Sequence, residues 1–430
     1  MAVATEVTEA EPFVSVRHRV VMVATSYPRF PGDTVGTFME PIAHGMAARG
    51  HDVHMVLPWH PRWTRPPREG GVTFHLFRYA PARSLNVFGY AGALRADVSV
   101  RGAALLATPL ALTAGWRAAR MVAKRIGATL MHGHWVVPGG AMAAAASREL
   151  PLVVSLHGSD VYLAERHGAI GRVARWTFAQ AAAVTACSED LRVRAHALGA
   201  NPSASVTIPY GVDVSRFRPD AAARAAVRHR WQIPSDAELV FAAGRFVRKK
   251  GFEYLIDSLA QLAPSRPALR LVLAGGGDLD GEFRDRISRL GLANRAVLPG
   301  VLTQDDVAAG LAASDVAVVP SVKDEAGNVD GLPNVVMEAL ASATPLVATT
   351  AGGIGHVVQD GTTGMLVGER DVPALAWAIG RILDDRAFGE RLGAAARAWA
   401  TTDATWERAA ERFDAVYEAA VSVRLSSPPR

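Results

Sequence analysis

Residues 18–58, "HRVVMVATSYPRFPGDTVGTFMEPIAHGMAARGHDVHMVLP", contain the pattern from which the fold follows. "HRVVMVATSYP" is an unbroken apolar run closed by turn residues, as expected of a strand buried on both faces. After the loop "RFPGDTVGTFMEP", the segment "IAHGMAARG" reads as a helix stopped by Gly50, and "HDVHMVLP" supplies a second strand. Strand, loop, helix and strand make a βαβ unit, and such units build parallel sheets. The pattern returns in "ATLMHGHW", an alanine-rich helix at 139–149, "LPLVVSLHGSD" and "AAAVTACSEDLRVRAHALG". Residues 17–210 are therefore expected to form a doubly wound domain.

"ASVTIPYGVDVSRFRPD" ends this series in a turn and a Pro- and charge-rich stretch, after which "AELVFAAGRFVRKKGFEYLIDSLAQL" starts a second one. Strands follow at "LRLVLAGGG", "AVLPG", "DVAVVPS" and "TPLVATTAGG", so 211–395 should form a second Rossmann-like domain facing the first. Residues 396–430 read as a C-terminal helix lying across the domains. Its Trp406, Phe413 and Tyr417 fall at near-helical intervals and are expected to pack rather than to bind. Ligands of open parallel sheets sit beyond the carboxyl ends of the strands, which places the site in the interdomain cleft.

Composition narrows the class. The 430 residues are 50% hydrophobic and 20% charged, as in a soluble globular chain with two or three domains. The single Cys187 cannot form an internal disulfide and no closely spaced ligand cluster suggests a metal, which fits the cytoplasm. Residues 1–16 are acidic and lack the features of a secretory signal; they read as a loose tail. The apolar stretch 102–116 is too short to span a bilayer and contains Pro109. Residues 1–208 carry 21 Lys+Arg against 13 Asp+Glu, whereas the remainder carries 25 against 28. Within 60–125 there are 11 basic and 2 acidic residues, interleaved with aromatics. That stretch suits peripheral contact with an anionic membrane face, or equally a solvated arginine-rich face. No nucleic-acid partner is expected.

Two segments carry the chemistry. "GRFVRKKG" puts Arg245 and Lys250 beside Gly244 and Gly251 just beyond a strand end, and a guanidinium fork with a mobile ammonium suits a pyrophosphate. "DGLPNVVMEALA", 330–341, reads as a helix start: Pro333 suits the first turn, and the amides of Asn334 and Val335 should point out toward an anion. Glu338 lies one turn into that helix and Asp330 stays in the loop before it, so the two carboxylates can hold hydroxyls on either side of a bound diphosphate. A capping Asp and a surface Glu would explain either residue taken singly.

The order of "GRFVRKKG", "LVLAGGG" and acid-Gly-Leu-Pro with a Glu eight positions after the acid resembles the retaining glycosyltransferases of family 4. Those enzymes have the GT-B fold, an α/β architecture of two facing Rossmann-like doubly wound domains with an interdomain cleft. "LPLVVSLHGSDVY", "IPYGVDVSRFRP" and "GTFMEPIAHGMAARGHDVHMV" look like further segments of that family, so the resemblance spans nearly the whole chain. It implies transfer of a hexose-type sugar from a nucleoside diphosphate sugar to an acceptor hydroxyl, with retention and with neither cofactor nor metal. The acceptor would be lipid-linked or a polysaccharide precursor, the rival being a diffusible small molecule. It implies that Arg245 and Lys250 neutralise the diphosphate, that Glu338 holds the ribose, and that His157 lies at the sugar. Asp330 matches the acid at the transferred sugar, where the family usually has Glu, and Glu325 lies near enough in sequence to compete for that part. Gly36, Gly244, Gly331, Leu332, Pro333 and Asn334 complete the donor site, with the base near Val301 and Leu302. Asp278 and Asp280 form a D-x-D string, read as a helix start rather than a metal site. A sugar-nucleotide epimerase of this fold is the alternative enzyme. A non-catalytic sugar-nucleotide binder is another reading, and a nicotinamide oxidoreductase fits poorly because Gly-x-Gly-x-x-Gly is missing after the first strand.

Overall fold

The computed structural model describes residues 17–426 apart from 34, 81–85, 87, 91–93, 96–98, 101 and 326; the acidic stretch 1–16 lies outside them. Among the described residues the first half builds one eight-stranded sheet. Its order is Ser205–Thr207, Ala183–Ala186, Leu152–Leu156, Leu130–His134, Arg19–Val23, Asp52–Pro58, Val72–Phe77 and Arg68–Glu69, parallel except at the last pairing. The chain grows outward from Arg19–Val23 on one side, then returns to place Leu130–His134 on the other. Val20, Val21, Met22 and Val23 are wholly buried, because helices cover both faces of the sheet.

The second half repeats the plan with six parallel strands, ordered Ala296–Val297, Leu269–Gly276, Glu238–Arg245, Val316–Val319, Leu346–Thr349 and Met365–Val367. Here the order reverses between Glu238–Arg245 and Val316–Val319. The two reversal points face each other, so the loops leaving these strands line a common cleft. The α/β architecture of two facing doubly wound domains is the one the sequence indicates. Val72–Phe77 and Met365–Val367 were not legible as strands: the second is three residues long, too short for a period to show. The first helix runs Met39–Ala48, starting earlier than its apolar pattern suggests.

Helix Arg386–Asp403 lies on the second domain, where Arg397 donates to the carbonyls of Val214, Phe217 and Ala341. The chain then crosses back at Ala404–Thr405, pairing with Val212, and helix Trp406–Ser426 packs on the first domain. A boundary at 396 thus falls inside a helix. Phe413 and Tyr417 are buried as expected, and Asp414 ties the helix down by accepting from Arg17, Arg49 and His51. Among the described residues no helix is long and apolar enough to cross a membrane. Helix Gly102–Ile126 does run through Pro109.

Candidate active site

A cleft of about 920 Å³ opens between the domains. The residues that the resemblance assigns to the donor site and the sugar all line it: Gly36 and His157 from the first domain, and Gly244, Arg245, Lys250, Val301, Leu302, Asp330, Gly331, Leu332, Pro333, Asn334 and Glu338 from the second. Glu325 is exposed and is not among the lining residues. Its neighbour Asp324 is occupied within its own loop, where it accepts from the backbone and side-chain nitrogens of Asn328.

The cationic side is built by one rigid turn. Arg245 is the last residue of its strand rather than just beyond it, and is exposed. A single 3-10 turn, Arg248–Lys250, follows and is ended by Gly251 at φ +64°. A Cβ on Gly251 would lie 2.0 Å from the Pro320 carbonyl oxygen, so only glycine permits this contact. The Lys249 carbonyl accepts from Val322 N at 2.9 Å, fixing the turn to the loop after Val316–Val319. Lys250 Nζ stands 2.5 Å from Asp330 Oδ2 and Lys249 Nζ stands 3.0 Å from Oδ1. Burial alone would raise the Asp330 carboxyl. The two ammonium groups outweigh it and hold the carboxyl far below the usual carboxylate range. Lys249 went unmarked in the sequence, although its adjacency to Lys250 in "RKKG" was the available signal.

The anion-facing helix is Asn334–Ala341, with Pro333 in the capping position, one place earlier than the first helical turn. The turn before it is held by close approach: a side chain on Gly331 would meet Leu191 Cδ1 at 2.7 Å and Cys187 Sγ at 3.0 Å, both from the first domain. Val329 joins the core of the first domain and Leu332 that of the second. The loop is therefore a joint between the domains. Across the cleft mouth, Asn334 Nδ2 donates to Thr37 Oγ1 at 3.5 Å.

Glu338 faces the cleft from the first turns of this helix. Burial raises its carboxyl from 4.5 to about 7, with Lys250 and Arg216 only partly offsetting that effect. A carboxyl raised in the folded state contributes stability that is full below 4.5 and is lost as pH rises toward about 7. Glu338→Gln should then melt above the wild type at pH 8 and with it at pH 4.5, in ligand-free protein. Equal melting at both values would show that no buried charge is relieved.

On the first domain, His157 has both ring nitrogens engaged: Nδ1 with Tyr210 Oη at 2.8 Å and Nε2 with His134 Nδ1 at 3.1 Å. Burial, with His134 adding to it, keeps its imidazole neutral. In the sequence His132 and His134 end one strand and His157 another, too differently placed to claim as zinc ligands. Parallel pairing of Leu130–His134 with Leu152–Leu156 brings His134 and His157 into direct contact, while His132 bonds Tyr417 and Ser155. The rings serve one another rather than converging on a common point. Phe38 stacks on Tyr210, with ring centroids 4.7 Å apart, and closes the cluster. Asp160 organises the loop by accepting from the amides of Val136, His157 and Gly158. Tyr210, Phe38 and Asp160 are the functional neighbours that sequence reasoning left without a part.

Two other sequence features resolve simply. Asp280 opens a helix and pairs with Arg284 at 2.8 Å. In the basic stretch 60–125, part of which lies outside the described residues, Phe74, Phe77, Phe88 and Tyr90 are buried. Arg65 is committed to Glu40 and Glu69. Arg62, Arg68 and Arg78 are exposed, and helix Gly102–Ile126, which has no acidic residue, presents Arg117, Lys124 and Arg125 alongside exposed Leu110 and Met121.

The chain matches the family models described as Glycosyltransferase Family 4, over residues 35–216, and Glycosyl transferases group 1, over residues 223–399. It is 30% identical to the glycogen synthase of Mycobacterium tuberculosis, over 96% of this chain and 97% of that one. It is 34% identical to the GDP-mannose-dependent alpha-(1-6)-phosphatidylinositol monomannoside mannosyltransferase of Mycolicibacterium smegmatis, over 61% and 68%. Among solved structures, HepE of Anabaena in complex with UDP-glucose superposes with a TM-score of 0.74 at 21% identity, covering 94% of this chain and all of the other. The lipopolysaccharide glycosyltransferase WaaG gives 0.65 at 18% identity, covering 92% of this chain and 99% of the other.

Proposed function

We propose a reaction for this chain on the premise that it belongs to glycosyltransferase family 4. It is a glycosyltransferase that uses a nucleotide sugar, and the sugar it moves is a hexose passed from a nucleoside diphosphate to an acceptor hydroxyl. One observation carries the reading: Arg245, Lys250 and the amino end of helix Asn334–Ala341 converge on one side of the cleft, opposite His157. Such a convergence suits a diphosphate whose charge grows as the glycosidic bond breaks.

The bond from C1 of the sugar to the diphosphate oxygen breaks, the electron pair leaves with the diphosphate, and the acceptor hydroxyl adds to C1. Its proton passes to the departing phosphate oxygen. Asp330 is tied to two lysines and is poorly placed to attack carbon, which supports same-face addition without a covalent enzyme intermediate and hence retention. Glu338 accepts from the ribose hydroxyls and Asp330 from a sugar hydroxyl. We further propose that the acceptor is lipid-linked. Helix Gly102–Ile126, whose Thr108 lines the cleft, offers exposed cations and Leu110 and Met121 to an anionic leaflet.

The test is a panel of UDP-, GDP- and ADP-sugars. One of them should raise the melting temperature, since a ligand bound only by the folded state stabilises it. That donor should transfer with unchanged anomeric configuration by NMR. Conversion of the nucleotide sugar without acceptor would favour an epimerase, and inversion at C1 would overturn the mechanism. Salt-sensitive sedimentation with anionic vesicles checks the lipid-facing helix.

A further inference from the structure

We propose that Lys249 is a positioning residue for Asp330, distinct in duty from the adjacent Lys250: it holds the carboxylate in place when the donor diphosphate draws Lys250 away. The inference rests on the donor reading above. One carboxylate bridges two ammonium groups, at 3.0 Å from Lys249 and 2.5 Å from Lys250. An arriving diphosphate competes with Asp330 for these cations. Were both lysines to follow the phosphate, a buried carboxylate would face a like-charged ligand without a counter-ion, an arrangement that is strongly unfavourable. The two lysines differ in freedom. Lys249 is buried and its carbonyl is bonded to Val322 N, so its side chain leaves a fixed origin and reaches Oδ1. Lys250 sits at the glycine end of the turn, packed beside Gly244 on the cleft side. The division also fits the residue present at 330. Asp is one methylene shorter than Glu, so its reach toward the sugar depends on a partner that sets the carboxylate's direction.

The test uses Lys249→Met, Lys249→Arg, Asp330→Asn and the Lys249→Met/Asp330→Asn double variant. Lys249→Met keeps the length of the side chain and leaves Asp330 paired with Lys250 in ligand-free protein, so it should fold. Its kcat should fall by about 10²-fold through misplacement of the sugar, while its affinity for UDP, GDP or ADP stays within about threefold of the wild type. The acid limb of its kcat profile should move to higher pH, because Asp330 has lost one of the cations that favour its ionised form. Lys249→Arg should restore most of the rate, and the double variant should be no slower than Asp330→Asn alone. Tenfold weaker nucleoside diphosphate binding in Lys249→Met would make Lys249 a phosphate ligand and overturn the proposal. Additive rate losses would overturn it too, as would a lowered melting temperature with unchanged kcat. If the wild type binds none of the three nucleotides, the donor reading fails instead.

Discussion

Lys250→Ala should lower turnover by about 10²–10³-fold, the usual cost of removing one donor from developing negative charge, and Arg245→Ala should do comparable damage. Both proteins should keep the wild-type circular dichroism and melt near it. Arg245 is exposed at the end of its strand, so truncating it opens no cavity in either core. Removing the Lys250 ammonium leaves Asp330 paired with Lys249 rather than stranded. Nucleoside diphosphate affinity should drop with the rate, because the same oxygens are held in the ground state. If both variants turn over at near-normal rates, the cationic turn is not the diphosphate site and the donor must lie elsewhere in the cleft.

How much of this was legible depended on the length scale. The βα alternation was readable because buried parallel strands are continuous apolar runs: Val20 to Val23 and Leu271 to Ala274 are almost wholly removed from water. Residues whose function follows from local backbone geometry were readable too, since Pro333 before an apolar helical pattern marks a helix start wherever it occurs. Side chains that act through partners distant in sequence were not. Lys249 became informative only when the fold carried Asp330 to it, and the contact of His134 with His157 depends on strand register. In the basic stretch 60–125 the charge was legible and the burial was not, because period and composition cannot distinguish an exposed ring from Phe74 or Tyr90 sealed in the first domain.

Gly251→Ala should be nearly as damaging as losing Lys250, although no functional group is removed. Gly251 has φ +64°, a conformation that costs an alanine about 1–2 kcal/mol. The added Cβ would also stand 2.0 Å from the Pro320 carbonyl oxygen, and that oxygen belongs to backbone, so the turn must move instead. Such strain belongs to the class of substitutions that cost about 3 kcal/mol or more. A displaced turn carries Lys249 and Lys250 with it, the first away from Asp330 and the second away from the diphosphate. The expected result is a melting temperature several degrees lower and a loss of kcat of at least about 10²-fold, since a shift near 1 Å at a charged site has that effect. The control is Gly281→Ala, in the helix after the next strand, where a Cβ meets nothing within 4 Å and both measurements should stay at wild type. A Gly251→Ala protein with full activity would mean that the turn tolerates displacement, and that the lysines are held by the ligand rather than by the fold.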